Sequence, residues 1–221
     1  MKLCMIGTGY VGLVSGVCFA DIGNQVICVD KDKNKIDKLN SGISPIYEPG
    51  LDELIKKNFV AKRLSFTTDI EKAISISDII FICVGTPTRK GSIKVDLSFV
   101  YKCTKEILKY SKRKKIIVTK STVPMGTGDE IEKILKRKKK LFTVISNPEF
   151  LREGEAIRDF RYPDRIVIGS NEKKAFNIMK KLYVPLTNKG SKFFTTSRRG
   201  AELIKYASNA FLATKITFIN E

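Results

Sequence analysis

Three glycines near the amino terminus, Gly7, Gly9 and Gly12, have the spacing of a loop that binds the pyrophosphate of a dinucleotide. They follow a short apolar strand, Lys2 to Ile6, and open an apolar helix. Gly7 permits the tight turn, Gly9 permits close approach of the pyrophosphate, and Gly12 permits packing of the helix against the strands. Helix amides then point at the phosphates, so the pattern predicts a dinucleotide-binding site.

A carboxylate, Asp30, ends the next predicted strand, Gln25 to Val29, about 20 residues after the glycine turn. There it can accept hydrogen bonds from both hydroxyls of the adenine ribose, and its negative charge disfavours a 2′-phosphate. NAD is therefore predicted over NADP. The nearby cations of Lys31, Lys33 and Lys35 soften that preference.

A second chemically capable segment runs from Asn147 to Gly154, after another predicted strand. It carries two carboxylates four residues apart, Glu149 and Glu153, beside the apolar Phe150 and Leu151. Buried carboxylates in such surroundings cost stability unless they hydrogen-bond a ligand or a fixed water. Because the chain has no histidine, acid–base chemistry must use carboxylate, lysine, hydroxyl or bound water.

Alternating strand and helix patterns must position these residues. Further strands are predicted at Leu64–Thr67, Ile79–Val84, Lys115–Thr119, Leu141–Ser146, Arg165–Gly169 and Lys192–Thr195. Helices are predicted near Leu51–Lys57, Leu97–Ser111, Thr127–Lys138 and Glu172–Tyr183. The fold class is α/β, a doubly wound, Rossmann-like parallel sheet whose ligands bind beyond the carboxyl ends of the strands. We expect Gly85–Thr88, Lys120–Thr127 and Asn147–Gly154 to line one crevice.

The formal charge of +18, from 41 Lys and Arg against 23 Asp and Glu, raises the question of nucleic-acid binding. The lysines are scattered over helices and loops without interleaved aromatic side chains, which indicates solvated faces and no nucleic-acid partner. The longest apolar stretch, Tyr10 to Ile22, is too short to span a bilayer and lacks secretory flanks. We expect a cytoplasmic protein with no membrane partner.

The five cysteines lie mostly inside predicted strands or helices, and their spacing fits no zinc site. Free thiols in apolar surroundings behave as small hydrophobic groups. All five are interpreted as structural, and no metal is predicted.

Taken together, the motifs resemble the UDP-glucose/GDP-mannose dehydrogenase family over the entire chain. They are Gly7–Gly12, Tyr47-Glu48-Pro49-Gly50-Leu51, Gly85-Thr86-Pro87, Ser121-Thr122-Val123-Pro124, Asn147–Gly154, Pro163-Asp164-Arg165 and Ala207-Ser208-Asn209-Ala210-Phe211. The resemblance implies NAD-dependent oxidation of a sugar carbinol through an aldehyde to a carboxylate. Two hydrides pass in succession to two NAD molecules, and UDP-glucose becomes UDP-glucuronate.

The resemblance also implies residue roles. It implies NAD contacts from Gly7, Gly9, Tyr10, Val11, Gly12, Asp30, Lys35, Thr86, Thr122 and Glu153. It implies nucleotide-sugar contacts from Glu149, Phe150, Leu151, Arg152, Glu153, Lys205 and Asn209. The implied catalytic residues are Thr122, Glu149, Glu153, Lys205 and Asn209. In the family the lysine and asparagine hold the reacting oxygen, while the threonine and the loop glutamate position a water.

The spacing of Lys205 and Asn209 agrees with that role. They are four residues apart on a helix that is predicted to start near Ser197, so both project from one face. An ammonium beside an amide can stabilise a developing alkoxide charge.

One family feature has no match. The nucleophilic cysteine lies beyond a long connecting helix in the family, and no cysteine here corresponds to it, Cys83 included. The chain ends inside an apolar-periodic helix, Glu202 to Ile219, without a capping residue. We interpret it as the N-terminal part of a longer enzyme and expect it to be inactive alone. The predicted domains are residues 1–196, which bind NAD, and 197–221, the truncated start of a connecting helix that forms a homodimer core.

Other functions stay open at this point. GDP-mannose and UDP-N-acetylmannosamine dehydrogenases share most of the motifs. Hydroxyacid dehydrogenases share the fold and a lysine–asparagine pair, but the Pro148–Leu151 segment argues against them. A non-catalytic NAD-binding protein and a basic nucleic-acid-binding module are the alternatives outside the enzyme class.

Overall fold

The computed structural model describes residues 1–89 and 91–221, without the side chain of residue 139. Its elements are, in chain order, β1 (Lys2–Ile6), α1 (Tyr10–Asp21), β2 (Gln25–Val29), α2 (Lys33–Asn40), α3 (Leu51–Val60), β3 (Leu64–Thr67), α4 (Ile70–Ile76), β4 (Ile79–Ile82), α5 (Ser98–Tyr110), β5 (Lys115–Thr119), α6 (Thr127–Leu135), a 3-10 segment (Lys136–Leu141), β6 (Phe142–Ser146), α7 (Ala156–Arg161), β7 (Arg165–Ser170), α8 (Lys173–Thr187), β8 (Lys192–Thr196) and α9 (Arg198–Asn220). Within these residues one sheet has the strand order β3-β2-β1-β4-β5-β6-β7-β8.

The first six strands are parallel, as predicted, and their order reverses direction between β1 and β4. In open α/β sheets this switch point, at the carboxyl ends of the strands, is where ligands bind. The fold class is confirmed.

The seventh strand corrects the prediction of a wholly parallel sheet. It pairs antiparallel with β6 through Ile145–Ser170 and Ser146–Gly169, and β8 is parallel to β7. A parallel return needs a crossover that carries the chain back along the sheet. Helix α7 has six residues and rises about 9 Å, which is less than the roughly 16 Å length of β6. The chain therefore re-enters the sheet from the edge at which β6 ended.

Two apolar layers cover the two faces of the sheet. Helix α1 is apolar on all sides because it is enclosed, and every residue from Gly12 to Ala20 is buried. Its Phe19 ring contacts rings from β4, α7 and α8, those of Phe81, Phe160 and Tyr183, at centroid distances of 4.9 to 5.5 Å. This cluster fixes α7, which follows the Asn147–Gly154 loop, against the core.

The predicted strands are confirmed to within two residues, with β4 ending at Ile82 instead of Val84. Helix α6 ends at Leu135 instead of Lys138, where the chain tightens into the 3-10 segment. The patterns do not predict α2, α4 or α7. Each has six to eight residues and so shows fewer than three turns of periodicity.

Helix α9 begins where the sequence predicts. The Ser197 hydroxyl caps it by accepting a hydrogen bond from the Gly200 amide at 3.0 Å. Its first turns lie so close to β7 that a Cβ at Gly169 would be 2.6 Å from that of Ala201. From Tyr206 onward every side chain except Ser208 is exposed. The division into domains 1–196 and 197–221 stays a prediction.

Among the described residues, no helix combines the length and apolarity that a bilayer crossing requires. The five cysteines are buried and unpaired, in agreement with a structural role. Burial raises the pKa of Cys83, the thiol nearest the predicted site in sequence, to about 12. No group of three potential metal ligands occurs in the part of the chain that the structure covers.

Candidate active site

Most of the predicted site residues follow neighbouring strands at one edge of the sheet. The first residues after β1, β2, β4, β5 and β6 include Gly7, Asp30, Thr86, Thr122 and Glu149. Because these ends are adjacent, residues far apart in sequence meet there.

The glycine turn has the geometry that the sequence predicts. Gly7 has φ of +103°, a conformation that disfavours other residues, and its amide donates to the Val29 carbonyl at 2.7 Å. A Cβ at Gly12 would lie 1.9 Å from the Gly7 carbonyl oxygen. A Cβ at Gly9 would meet nothing within 4 Å, and no side chain caps α1. The first amides of α1 therefore face open space that fits an incoming pyrophosphate.

Asp30 is held by the turn that it accompanies. Its Oδ2 accepts hydrogen bonds from the amide and the hydroxyl of Thr8, both at 2.8 Å, and its Oδ1 accepts one from the Asp32 amide at 3.1 Å. Burial favours the neutral carboxyl, but these bonds and the charge of Lys35 hold the pKa of Asp30 below its usual value. Three of about four acceptor positions are occupied, which leaves room for one ribose hydroxyl where the sequence analysis expected two.

Two predicted NAD contacts are joined directly. The Thr86 hydroxyl donates to the Thr122 carbonyl at 2.9 Å, and the Ser121 hydroxyl donates to the Val84 carbonyl at 2.7 Å. The loops after β4 and β5 are thereby fixed to each other beside the glycine turn.

Glu48 is a buried residue to which the sequence analysis assigned no role. Its carboxylate accepts hydrogen bonds from the Tyr10 hydroxyl and from the amides of Gly154 and Ile157, the last two at 3.0 and 3.1 Å. The Tyr10 hydroxyl also accepts from the Gly154 amide. Burial and the bond to Glu48 raise the pKa of Tyr10 to about 12. The only sequence signal was the family-like motif around Glu48.

A cleft of about 900 Å³ adjoins this edge. Its lining includes six of the seven predicted nucleotide-sugar contacts, namely Glu149, Phe150, Leu151, Arg152, Lys205 and Asn209. The expected single crevice forms only in part, because Lys120 and the Asn147–Arg152 loop line this cleft whereas Gly85–Thr88 does not.

The centre of the cleft is an ion pair between Lys205 and Glu149. Their Nζ and Oε1 atoms are 3.0 Å apart, and the side chains are 8% and 11% exposed. The second carboxylate oxygen of Glu149 accepts from the Leu151 amide, and the Lys205 ammonium lies 5.2 Å from the Phe150 ring centroid. The pair joins the loop after β6 to α9 across a large sequence separation.

Lys120 is a second buried lysine in this cleft. Burial lowers its pKa, the charge of Lys205 acts in the same direction, and the charge of Glu149 opposes both. The sequence analysis placed Lys120 in the segment after β5 but gave it no role. Its signal was a charged residue directly after a strand of buried apolar residues.

Glu202 anchors the helix that carries Lys205. Its carboxylate accepts from the amides of Gly126 and Gly128, at 2.6 and 2.8 Å, and from the Ser146 hydroxyl at 3.2 Å. Burial raises the pKa of Glu202, and these hydrogen bonds offset part of the effect. The amino end of α6 is therefore capped by a side chain from α9. Sequence reasoning missed this residue, three positions before Lys205.

Three predicted residues are placed differently from the central pair. Glu153 is exposed and does not line the cleft, and its negative charge helps to raise the pKa of Tyr10. Asn209 lines the cleft but is exposed. Arg152 forms ion pairs with Asp159 and Glu155 at 2.7 and 2.8 Å.

The model of the UDP-glucose/GDP-mannose dehydrogenase family, NAD binding domain, matches residues 1–187 of this chain. The chain belongs to this family. Its NAD-binding domain explains the glycine turn, the open amino end of α1 and the carboxylate after β2.

Individual relatives agree with the assignment. A UDP-glucose 6-dehydrogenase of Rhizobium meliloti (strain 1021) is 55% identical over 225 residues, covering 100% of this chain and 52% of the relative. The UDP-glucose 6-dehydrogenase TuaD of Bacillus subtilis (strain 168) is 51% identical over 223 residues, covering 100% and 48%. The chain spans about half the length of the curated relatives it matches.

Among solved structures, the ternary complex of a GDP-mannose dehydrogenase from Pseudomonas aeruginosa matches with a TM-score of 0.94 at 37% identity. The match covers 100% of this chain and 52% of that one. The antiparallel β7 and the long α9 are therefore part of a fold shared with a dehydrogenase of this family.

Proposed function

We propose that this chain is the NAD-binding half of an NAD-dependent dehydrogenase that oxidises UDP-glucose to UDP-glucuronate. The observation that carries the proposal is the buried Lys205–Glu149 ion pair, in a cleft next to the cofactor edge. Charged side chains are rarely buried unless their charge is used or paired, and here both groups line a cavity. The names of the relatives favour UDP-glucose as the substrate.

In this proposal the chain's own residues prepare the sugar oxygen. The Lys205 ammonium stabilises the negative charge that develops as the carbinol proton leaves, and the Asn209 amide orients the same oxygen. Glu149 holds the ammonium in place and, with Thr122, orders the water that is consumed later. NAD, when bound, supplies the hydride acceptor.

The atoms balance over two oxidations. The first removes a hydride and a proton from the carbinol and leaves an aldehyde. In the second, a nucleophile adds to the aldehyde, a second hydride leaves, and water releases the carboxylate and the nucleophile. One UDP-glucose and one water therefore reduce two NAD.

The nucleophile of the second step is proposed to lie outside this chain. Its five cysteines are buried, and burial raises the pKa of Cys103 to about 11 and that of Cys83 to about 12. Such thiols are protonated at neutral pH and are not nucleophilic. We expect residues 1–221 alone to bind NAD without producing UDP-glucuronate.

We also propose a cytoplasmic homodimer formed by the native-length protein. Helix α9 exposes several large apolar side chains, among them Leu203, Phe211 and Phe218. Exposed apolar side chains grouped on one helix are typical of an interface. Sedimentation of the native-length protein tests the dimer.

The experiment that tests the function is the yield of NADH per sugar consumed. The native-length protein is supplied with NAD and, separately, UDP-glucose, GDP-mannose or UDP-N-acetylmannosamine. Two NADH from UDP-glucose alone support the proposal. Activity with GDP-mannose instead would favour the second candidate, which the 0.94 TM-score to a GDP-mannose dehydrogenase raises. No NADH from any of the sugars refutes both.

A further inference from the structure

The motif Tyr47-Glu48-Pro49-Gly50-Leu51 has no part in the chemistry proposed above. It lies between α2 and α3, where Gly50 has φ of +79° and precedes α3, and the Leu51 side chain is 1% exposed. Tyr47 is exposed, whereas Glu48 is 7% exposed. The backbone on the carboxyl side of Glu48 is thus anchored in the core, and its carboxylate is directed inward.

The carboxylate of Glu48 joins three pieces of the site. It accepts from Tyr10 in the first turn of α1, from Gly154 at the end of the Asn147–Gly154 loop, and from Ile157 in the first turn of α7. The first piece borders the cofactor edge and the second carries the proposed nucleotide-sugar contacts. Glu153, next to Gly154, is close enough to act electrostatically on Tyr10.

A buried carboxylate that accepts three hydrogen bonds resists independent movement of its donors, because each broken bond leaves a desolvated group unpaired. Fixing the first turn of α1 therefore also fixes Gly154. At the exposed Arg152 the loop after β6 is held within its own segment, by ion pairs with Glu155 and Asp159 and by a hydrogen bond from the Arg152 amide to Asp159 at 2.9 Å.

We propose that Glu48 is a positioning residue that couples the cofactor site to the nucleotide-sugar site through Tyr10 and Gly154. The inference rests on the proposed function. By thermodynamic reciprocity, each ligand raises the affinity for the other by the same factor. Glu48 is not among the residues that line the cleft.

The chain contains a matched control at the opposite end of the same helices. Asp21, the last residue of α1, pairs with Lys57 of α3 at 2.7 Å and with Arg161 of α7 at 2.8 Å. It ties α1 to α3 and α7, as Glu48 does, but away from the ligand edge. If Glu48 had only a structural role, substitutions of Glu48 and of Asp21 would have the same effect on the coupling between the ligands.

The test measures NADH binding by fluorescence in the native-length protein, with and without UDP-glucose, a pair of ligands that does not react. We expect UDP-glucose to tighten NADH binding by fivefold or more in the unmodified protein. Glu48→Ala and Glu48→Gln should reduce that factor toward one, and Tyr10→Phe should reduce it while leaving the carboxylate in place. Asp21→Asn should lower the melting temperature and leave the factor unchanged.

Three results overturn the inference: no coupling in the unmodified protein, unchanged coupling in Tyr10→Phe and Glu48→Gln, or an equal loss in Asp21→Asn. If Glu48→Ala does not fold, Tyr10→Phe and Glu48→Gln decide. A protein that binds GDP-mannose in place of UDP-glucose contradicts only the proposed substrate, and the coupling is then measured with GDP-mannose.

Discussion

The cofactor edge and the cleft that is proposed to bind the nucleotide sugar are formed by different kinds of groups. Around Gly7 to Gly12 the site consists of backbone amides, missing side chains and a carboxylate held by its own turn. The cleft depends on side chains that meet over long sequence distances, above all Glu149 and Lys205. One region is set by local conformation and the other by tertiary packing.

This difference predicts which part of the site can be disrupted by mutation without disturbing the fold. A defect in the glycine turn acts on strand–helix packing and the cofactor together. A defect in the cleft should leave the sheet intact, because the residues of α9 that are buried in the described part of the chain lie in its first turns, from Arg198 to Lys205. The following four tests rank from the largest expected effect to the smallest.

Replacing Lys205 by Met should impair catalysis in the cleft and leave NAD binding at the cofactor edge unchanged. The change removes the ammonium that is proposed to stabilise the alkoxide, and it leaves Glu149 buried without its ion-pair partner. We expect kcat of the native-length enzyme to fall on the order of 10²- to 10³-fold, with NAD affinity retained. Steady-state kinetics and NAD titration measure this. Lys215→Met, which alters an exposed lysine of the same helix and cleft, is the control, and an equal loss there would contradict the assignment.

Two glycine substitutions separate packing from ligand approach. Gly12→Ala inserts a Cβ against the Gly7 carbonyl and should destabilise the fold by about 1–3 kcal/mol. Gly9→Ala points a Cβ into open space, so its melting temperature should stay close to the original. NAD affinity should nevertheless fall about 10- to 100-fold, because amide bonds to the pyrophosphate are lost. Tight NAD binding by Gly9→Ala would refute the pyrophosphate site.

Asp30→Ala should change the choice of dinucleotide. Without the carboxylate, NAD loses a ribose contact and NADP no longer meets a negative charge, so we expect the NAD preference to fall about tenfold. Competition binding measures the ratio. Asp32→Ala, which removes the cap of α2 at the Lys35 amide, should lower stability by about 1 kcal/mol and keep the preference.

Tyr10→Phe should flatten the alkaline limb of the stability curve. The pKa of Tyr10 is raised from 10.0 to about 12 in the fold, so the unfolded chain ionises first. The stability that the neutral hydroxyl contributes is complete below pH 10 and is lost as pH rises toward 12. From pH 9 to pH 11 the free energy of unfolding should fall more in the original protein than in Tyr10→Phe, by on the order of 1 kcal/mol. Chemical denaturation at the two pH values measures both free energies. An equal fall in the two proteins would contradict the hydrogen bond between Tyr10 and Glu48.

The same contrast explains how much the sequence could predict. The strands, the glycine turn and Asp30 could be predicted from local sequence patterns and spacing. Strands β1 and β4 are short runs of apolar residues, and both are buried in the fold. The reversal at β7 could not be predicted, since it depends on the shortness of α7. The sequence pattern of a strand does not indicate whether the strand runs parallel or antiparallel to its neighbour.

In the cleft, the sequence predicted candidate functional residues but not the residues that they contact. The resemblance to the family implied a role for Lys205 and its spacing from Asn209 agreed with that role, yet nothing local showed that Glu149 would be the ion-pair partner of Lys205. The roles of Glu48, Lys120 and Glu202 were missed because only the tertiary structure reveals that these charged residues are buried. Their roles lie in contacts with residues that are distant in sequence.

Helix α9 changes from buried to exposed between Lys205 and Asn209. Lys205 is its last buried residue, and Asn209, one turn later, is exposed. Backbone amides before this boundary open only when the packing against β7 and α6 is lost, whereas the later turns open locally. An uncovered helical stretch of about 15 residues is only marginally stable in water. The boundary between slow and fast hydrogen exchange in this chain therefore falls inside its proposed catalytic pair.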